Sequence, residues 1–447
     1  MKHYALSIIA NHFKKYNHIS RARRVKDNTI ELTFERDKSY FFHMTRGESF
    51  IYKKDSKRPL QSYNAPFDTL LHSLVSASKI VAITVPNNDR ILRLLLSPKS
   101  SYKEKLISLQ FEFTGRHTNV ILIDDNEVVI EALRHIDSDS SFRVIRPGIE
   151  LLNIPPFERQ EEKKEIDNID NYLEEKYINY EQKQLIGLKK QKLQMVAKKR
   201  GKLQKLLEKL PNPKSLAEDE KAYQNIANII LANLYKIKPY DKKLHAHDFE
   251  GKETIITLPK GVVPNRMSEH FFNLAKRSRN KAKNIHIEQE NLSTKRDFYS
   301  NMHHAIEQAK DTNELELLVP KKVKSQRKKE KIKECELFWI DDNKVLIGRN
   351  SKENQLLLKL AKSNDLWMHI RDIPSSHLII KTDKQNLPDS VIEKAAKLCV
   401  DFSLTQAGDY QVDYCKRRFV KIQEGSNVEY DKYKTIRVRK EGIEIRE

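Results

Sequence analysis

The stretch 108–127, SLQFEFTGRHTNVILIDDNE, sets Gly115, Arg116 and His117 between two strand-like runs. Leu109, Phe111 and Phe113 alternate with polar residues, the period of a strand with one buried face. Val120 to Ile123 is a short apolar run closed by the turn cluster Asp124-Asp125-Asn126. A guanidinium and an imidazole at a strand end suit contact with phosphate, base edges or a 2′-hydroxyl. The same residues fit a solvated hairpin, because charged loop side chains are usually just hydrated. Asp89-Arg90, in NNDRILRL, offers a second guanidinium. Its Asp either accepts from a base amino group, orients Arg90, or caps a helix beside a surface ion pair. Other chemistries lack their residues. There is no Gly-x-x-x-x-Gly-Lys-Ser/Thr loop and no His-Glu-x-x-His. Cys335, Cys399 and Cys415 lie far apart with no Cys-x-x-Cys pair, so no zinc ribbon is indicated and neither a metal nor a cofactor is expected.

Two basic runs point to a polyanion. Residues 183–205 hold nine Lys or Arg and no acid, including Lys189, Lys190, Lys198, Lys199 and Arg200. Residues 276–283 read KRSRNKAK and include Lys276, Arg277 and Arg279. On a helix the first run carries positive charge over roughly 35 Å, longer than a small ligand needs. A run of this kind ordinarily means a solvated face. Here acids are plentiful elsewhere, and 83 basic against 62 acidic residues still leave a net charge of +21. Such an excess concentrates polyanions, of which nucleic acid is the commonest.

These residues must be held by elements that the pattern outlines. A chain of 447 residues has room for two to four domains. Only 11 glycines among many Lys and Glu favour long helices over a pure β architecture. Residues 1–156 read as an α/β region. It has helices at 4–16 and 68–78, strands at 29–34, 40–44, 49–52, 80–85 and 128–135, and the Gly115 hairpin. Residues 157–320 read as a basic helical arm. Val196, Leu203 and Leu210 are seven apart with Leu206 between them, a coiled-coil spacing that Pro211 and Pro213 end. A small insertion at about 211–265 and a second helix from 268 suggest an antiparallel hairpin. Residues 321–336 form a basic linker. Residues 337–447 form a compact α/β domain. Asn350 with Glu353 opens one helix and Ser390 with Glu393 another, and Pro374-Ser375-Ser376-His377 is a turn. No run reaches bilayer-spanning length, and the first apolar segment is too short and interrupted for a signal peptide. A soluble, cytoplasmic protein is expected.

Several landmarks together resemble the NFACT family of ribosome quality-control proteins, formerly called fibronectin-binding protein A-like. They are EFTGRHTNVILID, Asp89-Arg90, the run VLIGRNSKENQLLLKLAKSNDLWMHIRDIPSSHLII and the closing KYKTIRV. The resemblance implies a multidomain α+β fold: an NFACT-N domain, a long antiparallel coiled-coil arm and a C-terminal NFACT-R domain. It implies binding to large ribosomal subunits obstructed by peptidyl-tRNA and recruitment of tRNA, alanyl-tRNA in bacterial members. The stalled nascent chain then receives an mRNA-independent C-terminal tail. The protein would position substrates while the ribosome supplies peptidyl transfer. By the same resemblance Asp89, Arg90, Glu112, Arg116 and His117 face tRNA, and the arm cations face the ribosome. Gly348, Arg349, Asn350, Asp365, Trp367, His369 and His377 carry the NFACT-R motif. Core or turn roles for Asn350, His369 and His377 stay open beside RNA contact, Trp367 reads as packing rather than stacking, and Arg116 is a candidate partner for a buried Glu112.

Three departures stand out. Ser375 replaces the glycine of the family's P-G-S-H, Thr114 replaces a Met, and Pro155-Pro156 leads almost directly into the arm, so a helix-hairpin-helix module is expected to be absent or reduced. Two other functions were weighed. The NFACT-N fold resembles the N-domain of formamidopyrimidine-type DNA glycosylases, but Met-Lys-His lacks their proline and glutamate, so no DNA chemistry is expected. The older name suggests a surface adhesin, and general RNA binding without tailing is the remaining alternative.

Overall fold

The computed structural model describes residues 1–54, 63–99, 105–153, 165–319, 335–423 and 427–441. They divide into two compact units, 1–184 and 185–447. Pro155-Pro156 and residues 321–334 of the expected linker lie outside the described residues.

Unit 1 opens with α1 (His3–Phe13), followed by β1 (His18–Lys26), β2 (Thr29–Phe34), β3 (Lys38–Thr45) and β4 (Glu48–Tyr52). Then come α2 (Pro66–Leu70), β5 (Ser78–Thr84), β6 (Ile91–Ser97), β7 (Ile107–Glu112), β8 (Asn119–Ile123) and β9 (Val129–Ala132). The nine strands make one sheet in the order β4-β3-β2-β1-β5-β6-β7-β8-β9. Every neighbouring pair is antiparallel. The expected α/β region is therefore an antiparallel sheet with one main covering helix. Leu6, Ile9 and Phe13 of α1 join Phe34, Phe42 and Phe111 of the sheet in one core. Phe13 stacks on Phe34 at 5.0 Å, and Phe42 on Phe111 at 4.2 Å. Strand β1, HISRARRVK, escapes a sequence reading because its buried Ile19, Ala22 and Val25 recur every third residue. Two register shifts along it explain that spacing. The expected helix 68–78 is shorter than read, since Leu71–Val75 is a π turn and β5 begins at Ser78.

Helix α3 (Ile169–Glu208) starts in unit 1, where Leu173 is fully buried, and continues into unit 2. Only residues 154–164 separate the described parts before it, too few for a helix-hairpin-helix. It is followed by α4 (Pro213–Ala232), β10 (Lys243–His247), β11 (Glu253–Thr257), α5 (Met267–Gln308) and α6 (Thr312–Leu318). The long helices pair antiparallel. Lys189 Nζ donates to Glu307 O at 2.7 Å, Arg296 donates to Gln204 at 3.4 Å, and Arg279 meets Glu220 at 3.7 Å. As α3 and then α4 advance, their partners step back along α5. Helix α4 thus continues the first limb, which corrects its expected place in an insertion; residues 234–266 alone form the connecting piece. The prolines restart the helix rather than end it. The Asn212 side chain accepts from Lys214 N, and Pro213 takes the first helical position. Val196 is fully buried, whereas Leu206 is 43% exposed and lies outside the seam.

The rest of unit 2 runs β12 (Glu336–Ile340), β13 (Asn343–Ile347), α7 (Ser351–Leu360), β14 (Leu366–Ile370), β15 (Leu378–Lys381) and α8 (Asp389–Ser403). It ends with β16 (Gly408–Lys416), β17 (Val420–Ile422), β18 (Val428–Tyr430) and β19 (Lys434–Lys440). Six strands form an antiparallel sheet, β12-β13-β15-β14-β16-β19. Val391, Ala395, Leu398 and Phe402 of α8 share its core. Helix α8 starts at Asp389 without a side-chain cap, so Ser390 does not play the expected role.

Candidate nucleic-acid interface

In unit 1 the two candidate motifs, 25 residues apart, meet through strand register. Ile91 at the start of β6 pairs with Glu112 at the end of β7, and Phe113 N donates to Arg90 O at 2.8 Å. Gly115 lies two residues further, at φ +75. That left-handed backbone is what the position requires of a glycine, because a Cβ there would meet no atom within 4 Å. The turn is tied down from three sides. Thr118 Oγ1 donates to Gly115 O at 2.8 Å and Gly47 N does so at 3.3 Å. Arg134 reaches Thr118 O at 2.9 Å and Met44 O at 2.7 Å. Arg116 and His117 are exposed and make no side-chain hydrogen bond or ion pair among the described residues. Arg46, on the turn that touches Gly115, is exposed too. It lies near enough that burial of Arg134 together with the Arg46 charge presses the Arg134 guanidinium below its ordinary pKa. Asp89 is buried, and its Oδ1 accepts from Arg90 N at 2.7 Å. Its role is to shape the Arg90 segment rather than to present a free carboxylate.

Glu112 corrects the sequence reading. It is fully buried and cannot face RNA. Its partner is not Arg116 but Arg143, which binds it through two nitrogens at 2.7 and 3.0 Å and also donates to Leu152 O at 2.6 Å. Gln110 supplies a third bond at 2.7 Å. Arg46, Arg134 and Arg143 carried no sequence signal, because isolated arginines beside turns look alike until the strands are paired.

In unit 2 the motif residues converge on a cavity of about 720 Å³ between α5 and the sheet domain. Asn350, His369 and His377 line it, with Asn354, Ser376 and Tyr430. Gly348 is required for a different reason from Gly115. A Cβ there would lie 2.1 Å from Asn354 Oδ1, the atom that accepts from His377 N at 3.2 Å. Asn354 also donates to Ser375 O at 3.3 Å, and Ser375 Oγ accepts from Ile370 N at 3.2 Å. Ser375 therefore serves the turn without a left-handed backbone, which falls on Asp372 at φ 57 instead. Asn350 caps α7 by accepting from Glu353 N at 2.9 Å. Arg349 forks onto Glu353 at 2.8 and 2.9 Å, and Lys295 joins at 2.7 Å. Burial pushes the Glu353 carboxyl upward, but these cations outweigh it and hold the group below the usual carboxylate range.

Trp367 is fully buried and donates its Nε1–H to His377 Nδ1 at 3.4 Å. His369 lies parallel to Trp367 at 5.9 Å and edge-on to His377 at 4.9 Å. Burial drives the His369 pKa down to about 4. Burial and then the neighbouring His369 bring His377 to about 3. Asp365 is buried under Lys381 at 2.8 Å and two backbone amides, so it holds the fold and does not reach the cavity. The sequence reading missed Arg371 and Asp413. They form a two-pronged pair at 2.7 and 2.9 Å, with Tyr430 and Thr435 on the same carboxylate. Among the described residues no group of three or more His, Cys, Asp or Glu is placed to hold a metal ion.

The arm cations divide into two kinds. Lys190, Lys198, Arg200, Lys276 and Arg277 are exposed and make no ion pair among the described residues. Lys189, bonded to a backbone carbonyl, Lys199, paired with Glu336 and 4.9 Å over the Tyr299 ring, and Arg279, paired with Glu220, serve the fold. These three are therefore not free charges.

A nine-stranded antiparallel domain, paired long helices and a second sheet domain with a polar cavity define a modular α+β protein built around unpaired cations. The family model described as NFACT N-terminal and middle domains matches residues 16–158 and 149–334, and the NFACT protein RNA binding domain matches residues 333–424. The chain belongs to the NFACT family. It is 25% identical to the Rqc2 homolog RqcH of Bacillus subtilis (strain 168), over 62% of this chain and 51% of that protein, so this match spans about half of the relative's length. It is 23% identical to the Rqc2 homolog RqcH of Streptococcus suis (strain 05ZYH33), over 83% of this chain and 84% of that one. The solved N-terminal part of the fibronectin/fibrinogen-binding protein from Streptococcus suis is 23% identical, covering 35% of this chain and 61% of that chain at a TM-score of 0.31.

Proposed function

We propose that this chain acts in ribosome quality control in the cytoplasm, a reading supported by its family and by its relatives named Rqc2 homolog RqcH. It binds large ribosomal subunits obstructed by peptidyl-tRNA through the exposed arm cations. It recruits a charged tRNA, alanyl-tRNA by family resemblance, at the edge formed by Arg46, Arg90, Arg116 and His117. Peptidyl transfer is left to the ribosome, and the protein contributes by positioning. The observation that carries this reading is the order of the two family models on one chain, the second an RNA-binding domain. No helix among the described residues is long and apolar enough to cross a membrane. Sequencing of RNA that co-purifies with the tagged protein tests the proposal. Large-subunit rRNA and one dominant tRNA are expected. Protein found on the cell surface and absent from large-subunit fractions would favour the adhesin reading instead.

A further inference from the structure

The cavity of unit 2 has a chemistry of its own. Arg349 is the one Lys or Arg among its lining residues, and it is bound to Glu353 and Tyr299. Glu290, Asp297 and Asp372 also line it. Asp297 is paired with Arg296 at 2.9 Å, which leaves Glu290 and Asp372 as the carboxylates unpaired among the described residues, in a lining with no uncommitted cation, a setting that disfavours phosphate. At the inner wall the Trp367 indole, which can only donate, points at His377 Nδ1. That nitrogen must then be bare, so the single proton of the neutral ring sits on Nε2. His377 is 3% exposed, and its Nε2 makes no hydrogen bond among the described residues. His377 lines the cavity and Nε2 itself keeps contact with solvent, so its N–H is a donor that a ligand in the cavity can reach. His369, at right angles to His377, and Tyr430, 4.8 Å from the Trp367 ring, also line the cavity.

We infer that this cavity takes a single unstacked nucleobase carrying an exocyclic amino group, with an acceptor on the base facing His377 Nε2–H and the amino group facing the rim carboxylates. Unpaired bases are recognised in RNA by this combination of edge hydrogen bonds and aromatic faces. A carboxylate accepts from the exocyclic amino group of cytosine or adenine, whereas uracil has a carbonyl oxygen at that position and offers only its ring N3–H. The inference deepens the reading of the chain as an RNA-handling protein and rests on it. The base comes either from a single-stranded segment of RNA or from a free nucleoside.

Trp367 reports on the site directly. The chain has two tryptophans, so Trp339→Phe leaves Trp367 as the sole fluorophore. In that background, adenosine, cytidine, uridine, ribose 5-phosphate and short single-stranded RNAs are titrated. A saturable change is expected with adenosine or cytidine, about tenfold weaker or worse with uridine, and absent with ribose 5-phosphate. A response to oligonucleotides far tighter than to nucleosides makes RNA the source; the reverse makes it a free nucleoside. Thr294, exposed on α5 and lining the cavity, is changed to Tyr to obstruct the mouth. Thr294→Tyr should keep the thermal unfolding profile and lose the response. The inference is overturned if neither nucleosides nor RNA move the fluorescence, if ribose 5-phosphate or uridine does so equally well, or if Thr294→Tyr responds like its parent. Large-subunit co-sedimentation of the same preparations is read in parallel. A silent titration with co-sedimentation intact removes only the cavity assignment, whereas loss of co-sedimentation in the parent protein removes the broader reading.

Discussion

At the scale of single residues, buried charge and buried imidazole each make a measurable prediction. Arg143 and Glu112 are desolvated together, and removing one partner strands the other in the core. Arg143→Ala should therefore cost roughly 3–5 kcal/mol of stability. Arg116→Ala, at an exposed position, should cost almost none. Thermal unfolding of the two variants side by side decides between this pairing and the Arg116–Glu112 pairing suggested by sequence. The histidines give a pH dependence. Folded His369 and His377 titrate near 4 and 3, while an unfolded histidine titrates near 6.5. Between those values the unfolded chain binds protons that the folded chain does not, so stability falls as the pH drops from about 6.5 towards 4 and is fully present above 6.5. Unfolding temperatures measured from pH 7.5 to 4.5 should show this decline, and His377→Gln should flatten it. An unchanged slope would put the acid sensitivity elsewhere. Sequence alone exposed the motif residues and the packing role of Trp367, but it left Glu112 between RNA contact and a buried pair and read Asp365 only as a motif residue, because burial and partners depend on how the strands pair.

At the scale of elements, strand limits were legible where apolar and polar residues alternate, as in β2 and β14, and where a short apolar run is bounded by turns, as in β13 and β15. They were lost where bulges broke the period in β1 and where Asp89 to Ser97 ran on from a turn. Helix α4 was misplaced for a related reason. Proline was taken as a stop, but its fixed φ and missing N–H also suit a first helical position. The paired helices make a sharper prediction than charge counting did. Lys190, Lys198 and Arg200 project free of partners, so changing all three to Ala should weaken large-subunit association without unfolding the arm. It should also lower the steepness of the salt dependence by about one unit per lost phosphate contact. Changing Lys189 and Lys199 should lower stability more than association. Co-sedimentation across a salt series, read against circular dichroism, separates the two sets. Equal losses from both would return Lys189 and Lys199 to the ribosome-facing group.

At the scale of the whole molecule, the proposed function divides the charge that made RNA the expected partner between different jobs: tRNA contact at the edge in unit 1 and large-subunit contact through the exposed cations on the helices of unit 2. Arg90→Ala should therefore strip tRNA from the purified complex while large-subunit co-sedimentation stays near the parent level. Asp89→Ala should act the same way through the backbone it braces. Joint loss of both activities would mean that the edge and the arm form one binding surface. The pairing of α3 and α4 against α5 has a consequence of another kind. At 1.5 Å per residue, the 42 residues of α5 reach about 63 Å, and each rung fixes one residue of the outgoing limb to one of the returning limb. The hairpin is thus a gauge with two matched scales. Removing residues from one scale alone slides every later rung off its mark and turns buried Val196 towards water. Removing seven from each at the same height keeps the marks aligned and shortens the reach by about 10 Å. Length in this arm is inherited in pairs.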